Sequence, residues 1–234
     1  MRNAVKRCVD FLLSSFALVL LSPLLLLIAI WIKVDSKGPV FFMQQRAGID
    51  GLPFRIFKFR TMVDRPADTI DQLQEGVINQ GHDPRITRAG RFIRATSLDE
   101  LPQLLNIAKG DMSIVGPRPI LMEQKEVIPP GYMKRFSMRP GLTGLAQVSG
   151  RRSLGWLQQL WLDAEYVEKQ SFLYDIGIML RTVKVVLVGG GIYGGDGMNW
   201  RTYRESLNGA PPADEHVEVA MNKTVSVNSS EASS

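Results

Sequence analysis

The segment from Phe11 to Ile32 constrains the fold most, because 22 consecutive positions carry no charged residue. Its sequence, FLLSSFALVLLSPLLLLIAIWI, would cross a hydrocarbon layer of about 30 Å as a helix that rises about 1.5 Å per residue. A signal peptide is disfavoured, since its apolar run is shorter, about 7–15 residues, and a small-residue cleavage site should follow it. We therefore predict that this segment lies in lipid.

Ser22 and Pro23 fall near the middle of the apolar segment. Proline has no N–H to donate and clashes with the carbonyl four residues back, at a cost of about 3 kcal/mol inside a helix. The Ser22 hydroxyl can bond a carbonyl that the proline leaves free, so we expect a bend. Basic residues flank both ends, and the positive-inside rule does not choose between them. On the residues alone, a straight membrane-crossing anchor with a tolerated proline stays open.

Composition bounds the partners and excludes some chemistry. The net charge of +5 favours partners with phosphate groups, anionic lipid headgroups or nucleic acid. The single cysteine, Cys8, excludes an internal disulfide and is interpreted as inert. His82 and His216 have no partners at zinc-ligand spacing, which excludes a zinc site and a Ser-His-Asp triad. Any metal would need oxygen ligands.

Local patterns predict a mixture of short strands and helices. Aromatic and β-branched residues cluster between Gly and Pro breakers from Gly38 to Met62, which predicts short strands around a turn at 48–52. The polar segment 64–81 should be helix plus loop, the segment 85–109 two helical pieces, and 114–119 a short strand.

Two later segments have helical periodicity. The first has an apolar face of Leu157, Leu160, Trp161 and Ala164, with Asp163, Glu165 and Glu168 off that face. The second, 176–188, fits core packing and the membrane interface about equally. The sequence GGGIYG at 189–194 has dinucleotide-binding spacing, but no second half of a sheet follows, so that interpretation is rejected. Beyond 206 the polar composition predicts disorder.

Arginines recur every third residue through RITRAGRFIR, at Arg85, Arg88, Arg91 and Arg94. A guanidinium binds two phosphate oxygens at once and stays charged when partly buried, so this pattern is typical of a phosphate site. A solvated basic face or a face on lipid headgroups fits the stripe as well.

Two adjacent carboxylates, Asp99 and Glu100, follow the arginines. Ser97 and Glu100 satisfy the capping-box pattern at a helix start, which is the ordinary explanation for acidic residues there. Their surroundings favour chemistry, because four arginines precede them and a second arginine loop, GDMSIVGPRP, comes after. A carboxylate beside arginines stays ionised and can serve as a nucleophile or as an oxygen ligand for Mg²⁺, which would neutralise phosphate charge.

Several motifs together resemble the bacterial sugar transferase family, the monotopic polyprenyl-phosphate phosphoglycosyltransferases. These motifs are KFRTM at 58–62, DPRIT at 83–87, SLDELPQLLNIAKGDMSIVGPRP at 97–119 and RPGLTGLAQVSGR at 139–151. They occur in the family's order, and the resemblance extends from about residue 3 to residue 185. The length is similar to that of the short members, which consist of the catalytic core.

The resemblance implies a two-step reaction. The aspartate of the DE pair, Asp99, would attack the sugar-linked phosphate of a UDP-sugar and release UMP, and polyprenyl phosphate would then collect the sugar phosphate. Glu100 would act beside it as the Mg²⁺ ligand. The sugar, and whether capsule, exopolysaccharide, O-antigen of lipopolysaccharide or a glycoprotein glycan is built, stay undefined.

The resemblance also implies a set of substrate- and phosphate-binding residues. Arg94 and Arg118 match phosphate-contacting arginines, and Asp175 matches an acidic residue near the site, although capping of the following helix explains it almost as well. For Lys58 and Arg60 the expected roles, structural or phosphate-binding, are not divided. The full predicted set is Arg94, Arg118, Lys58, Arg60, Arg91 and Asp175.

We therefore predict a mainly helical α+β fold in three parts. Residues 1–36 would form a re-entrant helix-break-helix at Ser22 and Pro23, and residues 37–205 a cytoplasmic catalytic domain with a small β-hairpin and interfacial amphipathic helices. Residues 206–234 would be a disordered tail. The expected location is the bacterial inner membrane, with membrane lipids as further partners, no nucleic acid, and a homodimer left open.

Two other functions remain in view. A non-catalytic membrane adaptor would use its arginines for anionic lipid or nucleic acid, with binding that falls steeply with salt and needs neither carboxylate. An enzyme of glycosyl transfer proper would release UDP in place of UMP.

Overall fold

The computed structural model describes residues 2–65, 83–150, 154–188 and 198–209. The helices are α1 (Arg2–Asp35), α2 (Arg88–Ala95), α3 (Gln103–Lys109), α4 (Met122–Lys125), α5 (Leu145–Ser149), α6 (Trp156–Lys169), α7 (Phe172–Val188) and α8 (Trp200–Gly209). The strands are β1 (Phe41–Ala47), β2 (Pro53–Phe59), β3 (Ser113–Val115) and β4 (Gly141–Thr143), and short 3-10 helices cover Ile49–Gly51, Leu98–Glu100 and Pro130–Ser137. The mainly helical α+β prediction is confirmed. The glycine-rich 189–194 and most of the polar segment 64–81 lie outside the described residues.

Helix α1 runs without interruption through Ser22 and Pro23. The predicted helix-break-helix is therefore one helix by secondary structure. The Ser22 hydroxyl donates to the Val19 carbonyl at 2.8 Å, which is the carbonyl four residues before the proline. Because that acceptor keeps a donor, the helix loses less at Pro23 than a proline ordinarily costs.

One face of α1 packs on the rest of the protein along its length. Its first half contacts a cluster around Leu104 and Ile107 of α3, and its second half contacts Phe59, Ala89 and Ile93. The opposite face stays uncovered, with Leu12 65% and Val19 76% exposed. Among the described residues, α1 is the one helix long and apolar enough to cross a membrane.

Strands β1 and β2 form the predicted antiparallel hairpin. The register pairs Phe41 with Phe59 and Ala47 with Pro53 across the turn at Ile49–Gly51. Helix α3 docks on β2 through Asn106, whose side chain accepts from the Phe57 N–H at 2.9 Å and donates to the Arg55 carbonyl at 2.7 Å. The hairpin therefore holds the segment that carries the two candidate carboxylates.

The segments that contain Gly116-Pro117 and Pro140-Gly141 lie side by side as a two-stranded parallel ribbon. Strand β3 pairs with β4, matching Ser113 with Gly141 and Val115 with Thr143. A Cβ on Gly141 would lie 2.1 Å from the backbone nitrogen of Gly116, so only glycine permits this approach. The ribbon brings the Arg118 loop and the start of α5 together.

Helices α6 and α8 share a core with the 3-10 helix Pro130–Ser137. Leu160 of α6 and Trp200 and Tyr203 of α8 are buried in it. Residues 206–209 therefore belong to a helix, which corrects the start of the predicted disordered tail, and 210–234 lie outside the described residues. The prediction that Asp163 lies off the buried face of α6 is also wrong, since it is 1% exposed.

Helix α7 packs on the core with one face, and its other face is exposed. Ile178 is buried in a cluster with Val115 and Tyr166. Leu173, Leu180 and Leu187, spaced seven apart, are 78%, 67% and 81% exposed, which forms an uncovered apolar stripe. Such a stripe on a helix with a packed opposite face is typical of contact with a membrane interface.

Candidate functional site

A cleft of about 450 Å³ lies between the Ser97–Leu101 segment, the β3–β4 ribbon and α7. We divide the residues that line it into two sets, which we call the charged wall and the apolar wall. The charged wall is formed by Arg94, Asp99, Glu100 and Arg118, and the apolar wall by Leu142, Val148, Met179, Val185 and Val186. Four predicted site residues, one from the arginine stripe and three from the 97–119 motif, thus line one cleft.

The chain turns sharply just before the two carboxylates. Ser97 has a φ of 58°, in the left-handed region, and makes no side-chain cap bond. The predicted capping box is therefore wrong, because an N-cap residue needs an extended backbone, whereas Ser97 is the left-handed residue that follows α2. This reversal places Asp99 and Glu100 on a short 3-10 helix that faces the cleft.

Lys58 fixes the position of Glu100. Its ammonium lies 2.7 Å from the Glu100 carboxylate, and both side chains are partly buried, at 20% and 29% exposed. Lys58 is held in turn by the hairpin register, opposite Phe42. The pair sets the direction of Glu100 and adds a positive charge behind the charged wall.

A buried ion pair holds the backbone of Arg118. Asp163 accepts from the Arg118 N–H at 3.3 Å, and Arg135 donates to the Arg118 carbonyl at 2.6 Å. Arg135 and Asp163 are 2% and 1% exposed and lie 2.6 Å apart. Burial raises the pKa of Asp163, and the Arg135 charge and hydrogen bond oppose that shift. We name this pair the Arg118 clamp; sequence reasoning missed it because Asp163 was assigned to a solvated face.

The arginine stripe divides at α2. Arg94 lines the cleft from the last turn of α2, whereas Arg88 and Arg91 are exposed and do not line it. Arg85 precedes the helix and binds Asp83, and its hydrogen bond is the main reason that the pKa of Asp83 falls to about 2. Arg94 adds to that shift by charge alone.

Arg60 and Asp175, like Arg91, are predicted binding residues that do not line the cleft. Arg60 is 4% exposed and donates to the backbone carbonyls of Ser36, Lys37 and Pro39, which favours the structural role left open for it. Asp175 binds Lys6 at 2.6 Å and the Tyr166 hydroxyl at 2.7 Å, on the side of α7 that faces α1. Burial and the Asp175 charge raise the pKa of Tyr166, which keeps its hydroxyl protonated as a donor.

The carboxylates fit a magnesium ion that a substrate phosphate helps to bind. Within the described residues, no group of three or more His, Cys, Asp or Glu side chains could hold a metal. Mg²⁺, however, is usually bound through one or two carboxylates plus substrate phosphates and water. Asp99 and Glu100 supply such a partial set of oxygen ligands.

The cleft also contains neutral polar residues that sequence reasoning did not select. Gln147 of α5 and Gln159 of α6 line it, and Thr143 lies 2.7 Å from Thr182 of α7 at the hydroxyl oxygens. Amide side chains both donate and accept, which suits sugar hydroxyls or a base edge. Only Gln147 and Thr143 had a sequence signal, since both lie in the RPGLTGLAQVSGR motif.

Comparison with known proteins matches residues 1–189 to the family described as bacterial sugar transferase. The uncharacterized sugar transferase EpsL of Bacillus subtilis is 40% identical over 188 residues, 80% of this chain and 90% of that protein. The UDP-glucose:undecaprenyl-phosphate glucose-1-phosphate transferase of Caulobacter vibrioides is 44% identical over 191 residues, 78% of this chain and 69% of that protein. The exopolysaccharide production protein ExoY of Rhizobium meliloti is 37% identical over 198 residues, with 80% and 88% covered.

Proposed function

The chain belongs to the bacterial sugar transferase family and is a phosphoglycosyltransferase, and from this premise we propose that it moves a sugar 1-phosphate from a UDP-sugar to polyprenyl phosphate. The observation that carries the proposal is the cleft itself. Asp99, Glu100, Arg94 and Arg118 line one cleft whose other lining residues are largely apolar. A site with one wall for phosphates and one for hydrocarbon suits a reaction between a nucleotide sugar and a lipid phosphate.

In the first step, a carboxylate oxygen of Asp99 attacks the sugar-linked phosphorus of the UDP-sugar. The bond from that phosphorus to the bridging oxygen breaks, UMP leaves with the electron pair, and a sugar-phosphoryl ester of Asp99 remains. Arg94 and Arg118 line the same cleft as Asp99, and they would contact the leaving phosphate as charge develops on it. Fixed cationic donors at such a place stabilise the transition state most.

In the second step, a phosphate oxygen of polyprenyl phosphate attacks the same phosphorus. The bond to Asp99 breaks, which restores the carboxylate and gives polyprenyl-diphosphate-sugar. Both steps use the same arginines, because each passes through a similar array of phosphoryl oxygens. The product would start a glycoconjugate or exopolysaccharide chain on the membrane.

Glu100, with Asp99 beside it, would hold a Mg²⁺ ion that neutralises diphosphate charge when bound. Lys58 bonds Glu100 and so keeps that side chain at the edge of the cleft before a donor substrate arrives. A titration of Mn²⁺ by electron paramagnetic resonance tests this role. Tight binding should need UDP-sugar as well as the ion, and Glu100→Gln should remove it.

We further propose that α1 is re-entrant, with both ends on the cytoplasmic side of the inner membrane. Near its start, Lys6 binds Asp175 at 2.6 Å and Arg7 donates to the Ile107 carbonyl at 2.6 Å. At its end, Asp35 accepts from the Ala89 N–H at 2.9 Å, at the start of α2. A helix with both ends bonded to one folded body is poorly suited to placing those ends on opposite membrane faces.

The test of the reaction is product analysis with a nucleophile variant. Purified protein, a panel of UDP-sugars, Mg²⁺ and undecaprenyl phosphate should yield UMP, and Asp99→Asn should yield almost none. Mass spectrometry of protein stopped during turnover should find a sugar phosphate on the Asp99 peptide. Equal UMP from wild type and Asp99→Asn would overturn the proposal, and UDP as product would indicate glycosyl transfer proper.

The test of topology is labelling of single cysteines in a Cys8→Ser background. Asn3→Cys and Lys37→Cys should react with a membrane-impermeant reagent from the same side. Labelling from opposite sides would contradict the re-entrant arrangement and leave the enzymatic proposal intact.

A further inference from the structure

A second cavity, of about 270 Å³, lies between α1 and α7 above β3. Its apolar lining consists of Val5, Val9 and Leu13 from α1, Ile114 and Val115 from β3, and Phe172 and Met179 from α7. We call it the interhelix cavity. The proposed reaction does not use it, and it is separate from the two carboxylates.

The charged residues at the interhelix cavity are already engaged. Lys6 and Asp175 bind each other at 2.6 Å. Asp10 accepts from the Ser113 hydroxyl at 2.8 Å and from the Ile114 N–H at 3.0 Å. Gln170 donates to Asp175 at 3.1 Å, and its buried amide oxygen has no hydrogen-bond partner among the described residues. The rest of the lining offers hydrocarbon side chains to an occupant.

The interhelix cavity adjoins the catalytic cleft. Ile114 and Met179 line both spaces, so these two apolar side chains form the shared boundary between the cleft and the cavity. On its other side the cavity meets uncovered apolar surface, where Leu13 is 45% and Phe172 62% exposed. Apolar walls thus connect the reacting centre with the helices assigned to lipid.

We propose that the interhelix cavity binds the hydrocarbon chain of the polyprenyl phosphate acceptor, an inference that rests on the proposed function. An amphiphile with a phosphate head satisfies both spaces at once, with its head at Arg94 and Arg118 and its chain along Met179 into the cavity. A UDP-sugar has no chain to fill the cavity. A bilayer phospholipid would fill the cavity without placing its head in the cleft.

The test compares acceptors of different length in a variant that fills the cavity. Val9→Trp should raise the KM for undecaprenyl phosphate by roughly tenfold or more, as expected when a hydrocarbon subsite is blocked. The KM for the short acceptor geranyl phosphate should change far less, and the burst of UMP without acceptor should stay at the wild-type level. Leu12→Trp is the matched control, because Leu12 is the 65% exposed residue on the uncovered face of the same helix.

Three outcomes would overturn the inference, and a fourth result addresses the reaction alone. An equal rise in KM for both acceptors, or an equal rise for Leu12→Trp, would show that the cavity does not hold the chain.

A photoreactive residue at position 9 should capture radiolabelled undecaprenyl phosphate in nanodiscs. This experiment does not depend on the folding of a cavity-filling variant, and capture of phospholipid alone would contradict the inference. Absence of UMP from wild type would instead contradict the proposed function.

Discussion

The charged wall and the apolar wall of the cleft differ in how they are held. On the charged wall, the backbone of Arg118 is fixed by the two buried residues of the Arg118 clamp, and the Glu100 side chain is paired with Lys58. The apolar wall is largely one face of α7, whose opposite face is uncovered, as Leu180 shows at 67% exposed.

This difference follows from what each wall must do. Stabilisation of charge in a transition state depends on donors that are in place before the reaction. Buried polar bonds to the Arg118 backbone meet this requirement. Burial of hydrocarbon is non-directional and roughly proportional to area, so the face of one helix is sufficient. The comparison predicts that the charged wall is sensitive to small structural changes and the apolar wall is tolerant.

The largest effect should follow loss of the Arg118 clamp. Arg135→Gln leaves Asp163 buried without its cation, and we expect the free energy of unfolding to fall by about 3–5 kcal/mol. Chemical denaturation in detergent would measure it. Lys134→Gln is the control, because Lys134 pairs with Glu168 between the same two elements at the surface and should cost no more than about 1 kcal/mol. Equal losses of unfolding free energy in the two variants would contradict the prediction that buried bonds hold the charged wall.

The next effect concerns Arg118 itself. Arg118→Gln should lower the rate of UMP formation by about 10²–10³-fold, the usual cost of one transition-state donor, while the unfolding curve stays close to wild type. Stopped-flow detection of UMP would measure the rate. Arg88→Gln, on the exposed side of α2, is the matched arginine control. If both variants lose activity equally, general positive charge rather than a placed guanidinium is responsible.

A smaller effect is expected on the apolar wall. Val185→Ala should lower kcat/KM for undecaprenyl phosphate by roughly tenfold, since lost methyl groups in a hydrocarbon subsite cost about 1–3 kcal/mol. The UMP burst without acceptor should be unchanged. Val183→Ala, 58% exposed on the uncovered face of α7, provides the comparison. A loss in the burst would mean that α7 also serves the donor substrate.

The smallest effect is a pH dependence of stability at Asp83, which lies outside the cleft lining. The pKa of Asp83 is lowered from 3.8 to about 2 by Arg85, so its stabilising contribution is present above pH 3.8 and is lost as the pH falls through about 2. Asp83→Asn should therefore cost up to about 1 kcal/mol at pH 7. The gap between wild type and variant should narrow below about pH 4 in denaturation experiments. A gap that widens in acid would contradict this sign.

The sequence predicted those features that depend on local pattern. Aromatic and β-branched runs around Gly48 and Gly51 indicated the β1–β2 hairpin, and the spacing of Leu157 and Leu160 indicated α6. The motifs with Asp99, Glu100 and Arg118 were selected as site residues, and these three residues line one cleft; their roles stay a prediction.

Features that depend on distant contacts were not predictable in the same way. Asp163 reads as a surface residue until Arg135, 28 positions away, is placed against it. Ser97 fits a capping box by spacing, but its φ of 58° follows from the turn between α2 and the 3-10 helix. The role of α7 as a wall was missed because an apolar stripe does not state what it contacts.

The core that α6 and α8 share includes residues beyond the region of family similarity. That similarity ends at residue 189, yet Trp200 and Tyr203 are 8% and 2% exposed against α6. The part of the chain that matches the family is therefore shorter than the part that packs into the core. Truncation of the chain after residue 189 would remove two aromatic rings from the core that contains Tyr132 and Phe136, on either side of Arg135 in the chain.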